Sequence, residues 1–399
     1  MQIPDVSDPD AYENGFPHDA FRELRREAPV CWHEGDYDGG PGYWIISRYD
    51  TIKTISRQPD LFSSASGTSI EQRNGEFVSM ITMDPPDHRR YRSLVSSGFT
   101  PRQIHAQEPQ HRAIVRDILD GVVDRGHCDF VVDIAAELPL RVIADLLGVP
   151  QSACHDIFDW TNRMIGSQDS EYAVDLDEAA SAAQEMFVFA NGVAEDRLAT
   201  PRGDLISKIL HGDVDGGKLD LMEFDSFFLL LAVAGNETTR NLISHGMLLL
   251  LEHPDVLTRL RADRTLVKPA IEEMLRLRSP VIYMKRVALA DTVLDGVPIK
   301  RGDVLMMYYP SANRDESVFD RPDEFDIDRK NNHHLAFGVG EHFCIGTHLA
   351  RLETRVMFEE ILERMHDIEI AGPISYLRSN LIDGVKHLPL KFSSTPATA

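Results

Sequence analysis

The stretch over residues 220–252 constrains the fold more than any other part of the chain. Asp220 and Glu223 have the spacing of a capping box, in which side chains and backbone donors satisfy one another at a helix start. Pro254 ends the run, because proline cannot continue a helix. The roughly 33 residues between these signals, at about 1.5 Å each, predict a helix near 50 Å long. Its composition is apolar enough to require burial, so other elements must pack around it. In its middle lie Ala234, Gly235, Asn236, Glu237, Thr238 and Thr239. Gly, Asn and Thr are poor helix formers. Polar residues interrupting a buried helix are locally inconsistent, and such inconsistencies cluster where function is. The Thr238 hydroxyl is placed to bond the Ala234 carbonyl and bend the helix. The segment reads either as a kink satisfied by water or as part of a functional site.

A second feature is the Gly-rich loop Phe337, Gly338, Val339, Gly340, Glu341, His342, Phe343, Cys344, Ile345, Gly346. An apolar-periodic run over 347–357 follows it and reads as a helix. Cys344 therefore sits before a helix N-terminus, where backbone N–H groups and the helix dipole favour a thiolate. The glycines let the backbone approach a large flat partner. A thiolate held this way is a good axial ligand for haem iron.

Other signals are weaker alone. In the run Asp84, Pro85, Pro86, Asp87, His88, Arg89, Arg90, Tyr91, Arg92, the prolines favour a turn and a helix start. His88 and Arg92, four apart, share a face that is either a solvated basic surface or a carboxylate clamp. Glu273 and Arg276 on a helix over 268–277 pair as on many surface helices.

Helical patterns cover 20–27, 49–58, 111–125, 132–147 and 180–198, whereas 42–47, 284–289, 292–294, 304–308, 367–370 and 388–392 read as strands. Residues 1–41 carry one short helix, and 63–76 form a mobile loop. No internal repeat or low-complexity linker divides the chain, so residues 1–399 read as one domain, mainly α with small β-sheets at one side.

The formal net charge of −23 argues against nucleic acid and anionic membranes as partners. Cys31, Cys128, Cys154 and Cys344 show no CxxC or metal-ligand spacing, which fits a reducing compartment. No leader pattern follows Met1. The longest apolar run, over 227–234, falls short of the roughly 20 residues a spanning helix needs. A cytoplasmic protein without a membrane anchor is expected.

The motifs together resemble the cytochrome P-450 family of haem-thiolate monooxygenases, over residues 40 to 392. Phe337, Gly340, Cys344 and Gly346 match its Phe-x-x-Gly-x-x-x-Cys-x-Gly loop. Ala234 to Thr239 match its Ala-Gly-x-Glu-Thr-Thr pattern. The Asp-Pro-Pro-x-His-x-x-x-Arg run and the Glu-x-x-Arg pair follow in the family's order. The resemblance implies the P-450 fold, with haem between the long helix and the cysteine loop. It implies haem b (iron protoporphyrin IX), with Cys344 as the iron's axial ligand and His88, Arg92, Arg286 and His342 on the propionates. Phe337 and Gly346 would contact the haem, and Ala234 and Gly235 would leave room above it. Thr238 would order a water and Glu237 would pass protons from solvent. Glu273 and Arg276 would brace the fold against the region 319–329. Many members carry arginine just before the phenylalanine at the position of Phe325. Here the residue is Glu324, which leaves the third member of the brace open.

Family substrate positions fall on 67–77, 230–234, 281–284 and 380–382. Ile70, Val233, Val281, Ile282, Met284, Leu381 and Ile382 give a mostly apolar lining. The resemblance thus implies a monomeric hydroxylase of a hydrophobic substrate, leaning to sterols, terpenoids and branched or aliphatic lipids. It would use O2 and electrons from a ferredoxin and its NAD(P)H-dependent reductase. His333, His334, His348 and Arg351 are candidate docking contacts. The alternatives are a peroxide-driven peroxygenase of the same fold, against which Glu237 and Thr238 argue, and a non-catalytic haem-binding or gas-sensing protein.

Overall fold

A computed structural model of the chain describes residues 5–37, 40–70, 78–172, 176–212 and 218–394. The central helix is Leu221–Glu252. Its capping box is formed: Asp220 accepts from the Glu223 N–H at 2.8 Å, and Glu223 accepts from the Asp220 N–H at 2.8 Å. The Thr238 hydroxyl donates to the Ala234 carbonyl at 2.9 Å, as its spacing implies. Helical hydrogen bonding nonetheless continues unbroken through this segment. The poor helix formers are overruled by burial on nearly every side.

Helices packed on this one include Glu137–Leu147, Cys154–Ile165, Leu176–Ala199, Val267–Leu277 and Thr347–Arg364. Phe224, Phe228, Ile243, Met247 and Leu250 fill the core between them, each fully buried. Thr347–Arg364 runs about two turns beyond the 347–357 read from periodicity, with Met357, Phe358, Ile361 and Leu362 buried.

The β side contains a five-stranded sheet. From edge to edge it runs Val30–Tyr37, Gly40–Ile46, Val304–Tyr308, Tyr283–Ala288 and Phe62–Ser63. Gly40–Ile46 and Val304–Tyr308 pair in parallel, with Trp44 opposite Leu305 and Ile46 opposite Met307. Val30–Tyr37 lies where the sequence shows only loop and a short helix. His33, Glu34, Gly35 and Asp36 are poor strand formers, and the strand is imposed by antiparallel pairing with Gly40–Ile46. Three further strands, His127–Asp129, Pro389–Ser394 and Met365–Ile370, form a second sheet. A short hairpin, Ser375–Tyr376 with Val385–His387, lies against the central helix.

A buried ion cluster ties the helical side to the cysteine loop. Arg276 donates to both oxygens of Glu273, at 2.8 and 2.7 Å, with both side chains at 0% exposure. Arg329 supplies the third member, its Nε reaching Glu273 at 2.9 Å. Asn332 and the Asp326 N–H, each at 3.0 Å, complete the acceptor's shell. Glu324 takes part only through its carbonyl, which accepts from Arg276 at 3.0 Å.

Candidate active site

Between the central helix and the Gly-rich loop lies a cavity of about 1440 Å³, its mouth included.

The loop forms one wall. Gly338 and Gly340 adopt φ of 66° and 83°, left-handed values that favour glycine. A Cβ on Gly340 would lie 2.2 Å from the Ser56 carbonyl oxygen, so no larger residue fits there. The Cys344 N–H donates to Phe337 O at 2.9 Å, and Thr347 donates to Cys344 O at 2.7 Å. Cys344 lines the cavity with Phe337 and Gly346, and the Arg351 guanidinium lies 4.6 Å from the Phe337 ring centroid. Cys344 is open to the cavity but surrounded by protein, and that burial pushes its pKa up, against the Gly346 N–H, Arg92 and Arg351, which favour the thiolate.

The opposite wall comes from one stripe of the central helix: Leu230, Leu231, Ala234, Gly235, Thr238, Thr239 and Leu242. Val233 and Glu237 are not among the lining residues; helical rotation turns them off this stripe. Glu237 is buried at 1% exposure. Its Oε1 accepts from Arg240 and, at 2.8 Å, from Asn241. Arg240 in turn donates to Asn162 at 2.8 Å. Thr238 and Glu237 therefore do not share the cavity face.

His88, Arg92, Arg286 and His342 converge at the cavity, brought from three separate parts of the chain. Met284 and Arg286 reach it because alternate residues of Tyr283–Ala288 share a face. The His88 and His342 ring centroids are 4.2 Å apart. Arg92 donates to Phe343 O at 2.6 Å, Arg286 to Lys285 O at 2.7 Å, and His342 contacts Ser64 Oγ at 3.1 Å. The His88 Nδ1 is buried without a hydrogen-bond partner among the described residues. Burial pushes Arg286, Arg92 and His88 down. Burial first, then Arg286, His88 and Arg92, hold His342 down at about 2. Glu341 pairs with Arg89 and lies 3.8 Å from His88 Nδ1, and Asp84 accepts from Ser63 and Ser64. Two guanidiniums and two imidazoles crowded together are a site for an anion, which would also favour the protonated imidazoles. A flat group bearing carboxylates at one edge, with the cysteine facing its plane, fits this donor set.

Thr68, Met80, Ile81, Pro280, Val281 and Met284 also line the cavity. Of the residues expected in a substrate pocket, Val281 and Met284 line it. Ile70 and Ile282 are buried instead in the cluster around Tyr283 and Tyr308, with Leu381 packed against it. Ile282 precedes its strand, beside the single Val281–Ile382 bridge, so the strand's alternation does not reach it. Ile382 is buried at 5% exposure and is also absent from the lining. Residues 71–77, expected to contribute, lie outside the described residues. Tyr309, which lines the cavity near Arg286, was missed; only the three-dimensional turn after Val304–Tyr308 brings it there. Of the candidate docking residues, His334 and Arg351 both bind Glu272, at 3.1 and 2.6 Å. His334 is 3% exposed.

Fold and cavity define a helix-rich enzyme that holds a flat anionic cofactor against a cysteine. The family model for cytochrome P450 matches residues 137–366. The chain is 39% identical to a steroid C26-monooxygenase of Rhodococcus jostii, over 98% of this chain and 85% of that protein. It is 40% identical to a methyl-branched lipid omega-hydroxylase of Mycobacterium bovis, over 94% and 90%. Cytochrome P450 CYP268A2 from Mycobacterium marinum, solved with pseudoionone, matches with a TM-score of 0.90 at 35% identity, over 94% of each chain. CYP109E1 from Bacillus megaterium, solved with testosterone, matches with a TM-score of 0.86 at 32% identity, over 96% and 99%. The chain belongs to the cytochrome P450 family. It is a monooxygenase whose cofactor is haem b, and it works with O2, a substrate and an external source of electrons. No helix among the described residues is long and apolar enough to cross a membrane.

Proposed function

We propose that this enzyme hydroxylates a hydrophobic lipid, a steroid or a methyl-branched chain, with electrons delivered by a ferredoxin and its reductase. The observation that carries the reading is one cavity lined by a cysteine, by Arg92, Arg286, His88 and His342, and by a largely apolar set of side chains. The relatives named for steroid and branched-lipid hydroxylation support the substrate class.

Cys344 would hold the haem iron, and His88, Arg92, Arg286 and His342 would hold the propionates. The bound haem supplies oxygen activation, which a thiolate ligand favours. The chain's own residues do the rest. Ala234 and Gly235 leave space above the haem, and Gly235 stays small because a Cβ would come 3.0 Å from Ile143 Cδ1. The Thr238 hydroxyl, anchored on Ala234 O, holds a water at the cavity face. Glu237 stores the proton that this water passes on, from the buried side of the helix. The apolar lining excludes bulk water and orients the substrate by shape.

The test is spectroscopic. The reduced protein with carbon monoxide should show the red-shifted Soret band of thiolate ligation, and Cys344→Ala should lose it. Among sterols, branched alkanoic acids, terpenes and alkyl aromatics, steroids or branched lipids should give the largest shift of the ferric Soret band to high spin. A panel in which only polar compounds shift the band would overturn the substrate class.

A further inference from the structure

Glu237 is clamped on one oxygen only. Its Oε1 accepts from Arg240 and from Asn241 Nδ2, whereas Oε2 is buried with no partner among the described residues. Asn241 is itself fixed. Its Oδ1 accepts from the Val385 N–H at 3.1 Å, so its amide can present only Nδ2 to Glu237. It is 0% exposed. The space behind it is tight: a Cβ on Gly384 would lie 3.4 Å from Asn241 Nδ2 and 2.9 Å from Leu377. One turn further on, His245 Nε2 meets the Asp383 carbonyl at 3.0 Å. The polar stripe Glu237, Asn241, His245, at intervals of four, is thus fastened to the segment Asp383 to Val385 of the C-terminal hairpin.

A carboxylate oxygen that already accepts two donors is the poorer site for a proton; the free oxygen takes it. We infer that Asn241 is a positioning residue, aligned by Val385, that holds Glu237 by Oε1 so that the proton is carried on Oε2. This rests on the reading of Glu237 as proton carrier. Among the described residues, the charged or titratable groups facing the carboxylate are Arg240 on its own helix and Tyr172 on the segment after Cys154–Ile165.

Infrared difference spectroscopy of the haem-loaded enzyme tests the inference. Subtracting the Glu237→Gln spectrum isolates the Glu237 carboxyl band, in the parent and in each Asn241 background. Asn241→Leu removes both contacts. Asn241→Asp keeps an acceptor for the Val385 N–H and removes the donor to Glu237. Both should shift the band. An unmoved band in both overturns the inference. A shift in Asn241→Leu alone also overturns it, because the effect then comes from the lost hairpin anchor. The proton-carrier reading fails separately, if Glu237→Gln keeps the ratio of product to NADH consumed while the Asn241 variants still shift the band.

Discussion

Two guanidinium groups, Arg92 and Arg286, and two imidazoles, His88 and His342, crowd together on the cavity wall and together can hold an anion. Removing one weakens that anion's hold. A hydrogen bond to a charged group is worth about 1.5–3 kcal/mol, so Arg286→Leu should speed haem loss by roughly ten- to a hundredfold. Transfer of haem to apomyoglobin measures it. Thr238→Ala should still consume NADH but release hydrogen peroxide in place of product, which peroxide and product assays on one sample would show. Glu273→Gln leaves Arg276 and Arg329 buried without their counter-charge, and breaking such a cluster costs about 3–5 kcal/mol. Urea denaturation checks it. At this scale the sequence carried Cys344, the cationic donors and Thr238 through their spacing. Glu237 shows where spacing stops: adjacent helix positions differ by about 100°, and no motif says which residue faces the cavity. Arg329 was hidden for a similar reason, because its guanidinium reaches Glu273 from a loop whose path no periodicity encodes.

Between elements, the helices Glu108–Asp120 and Glu137–Leu147 meet near His111, which is buried at 2% exposure. Burial pushes this imidazole down to about 4, against the opposing charges of Asp145 and Glu108. The unfolded chain therefore binds more protons than the native one below the ordinary histidine value of 6.5. Stability from this site is complete above about pH 6.5 and falls as the pH drops toward 4, by at most about 3 kcal/mol. The midpoint of chemical denaturation across that window should flatten in His111→Phe. The amphipathic helices and half of the described strands were legible because their apolar faces repeat at fixed intervals. Val30–Tyr37 was not, because its polar residues are held by a partner strand rather than by their own preference.

Over the whole molecule, haem binding and folding are linked. A ligand present at 1,000 times its dissociation constant stabilises the native state by about 4 kcal/mol. The apoprotein should melt at a lower temperature than the haem-loaded form, and adding haem back should restore the difference in calorimetry. The fold class was readable because one long capped helix dictates its surroundings; the cavity's far wall was not, since it is assembled from side chains distant in sequence.

The parallel pairing of Ile46 with Met307 joins residues far apart along the chain. On a ribosome adding about 5–20 residues per second, the first strand waits roughly 13–50 seconds for its neighbour. Throughout that interval Gly40–Ile46 presents an open edge to the cell, so the nascent chain needs a chaperone, or a crowd-free tunnel exit, long before it needs its haem.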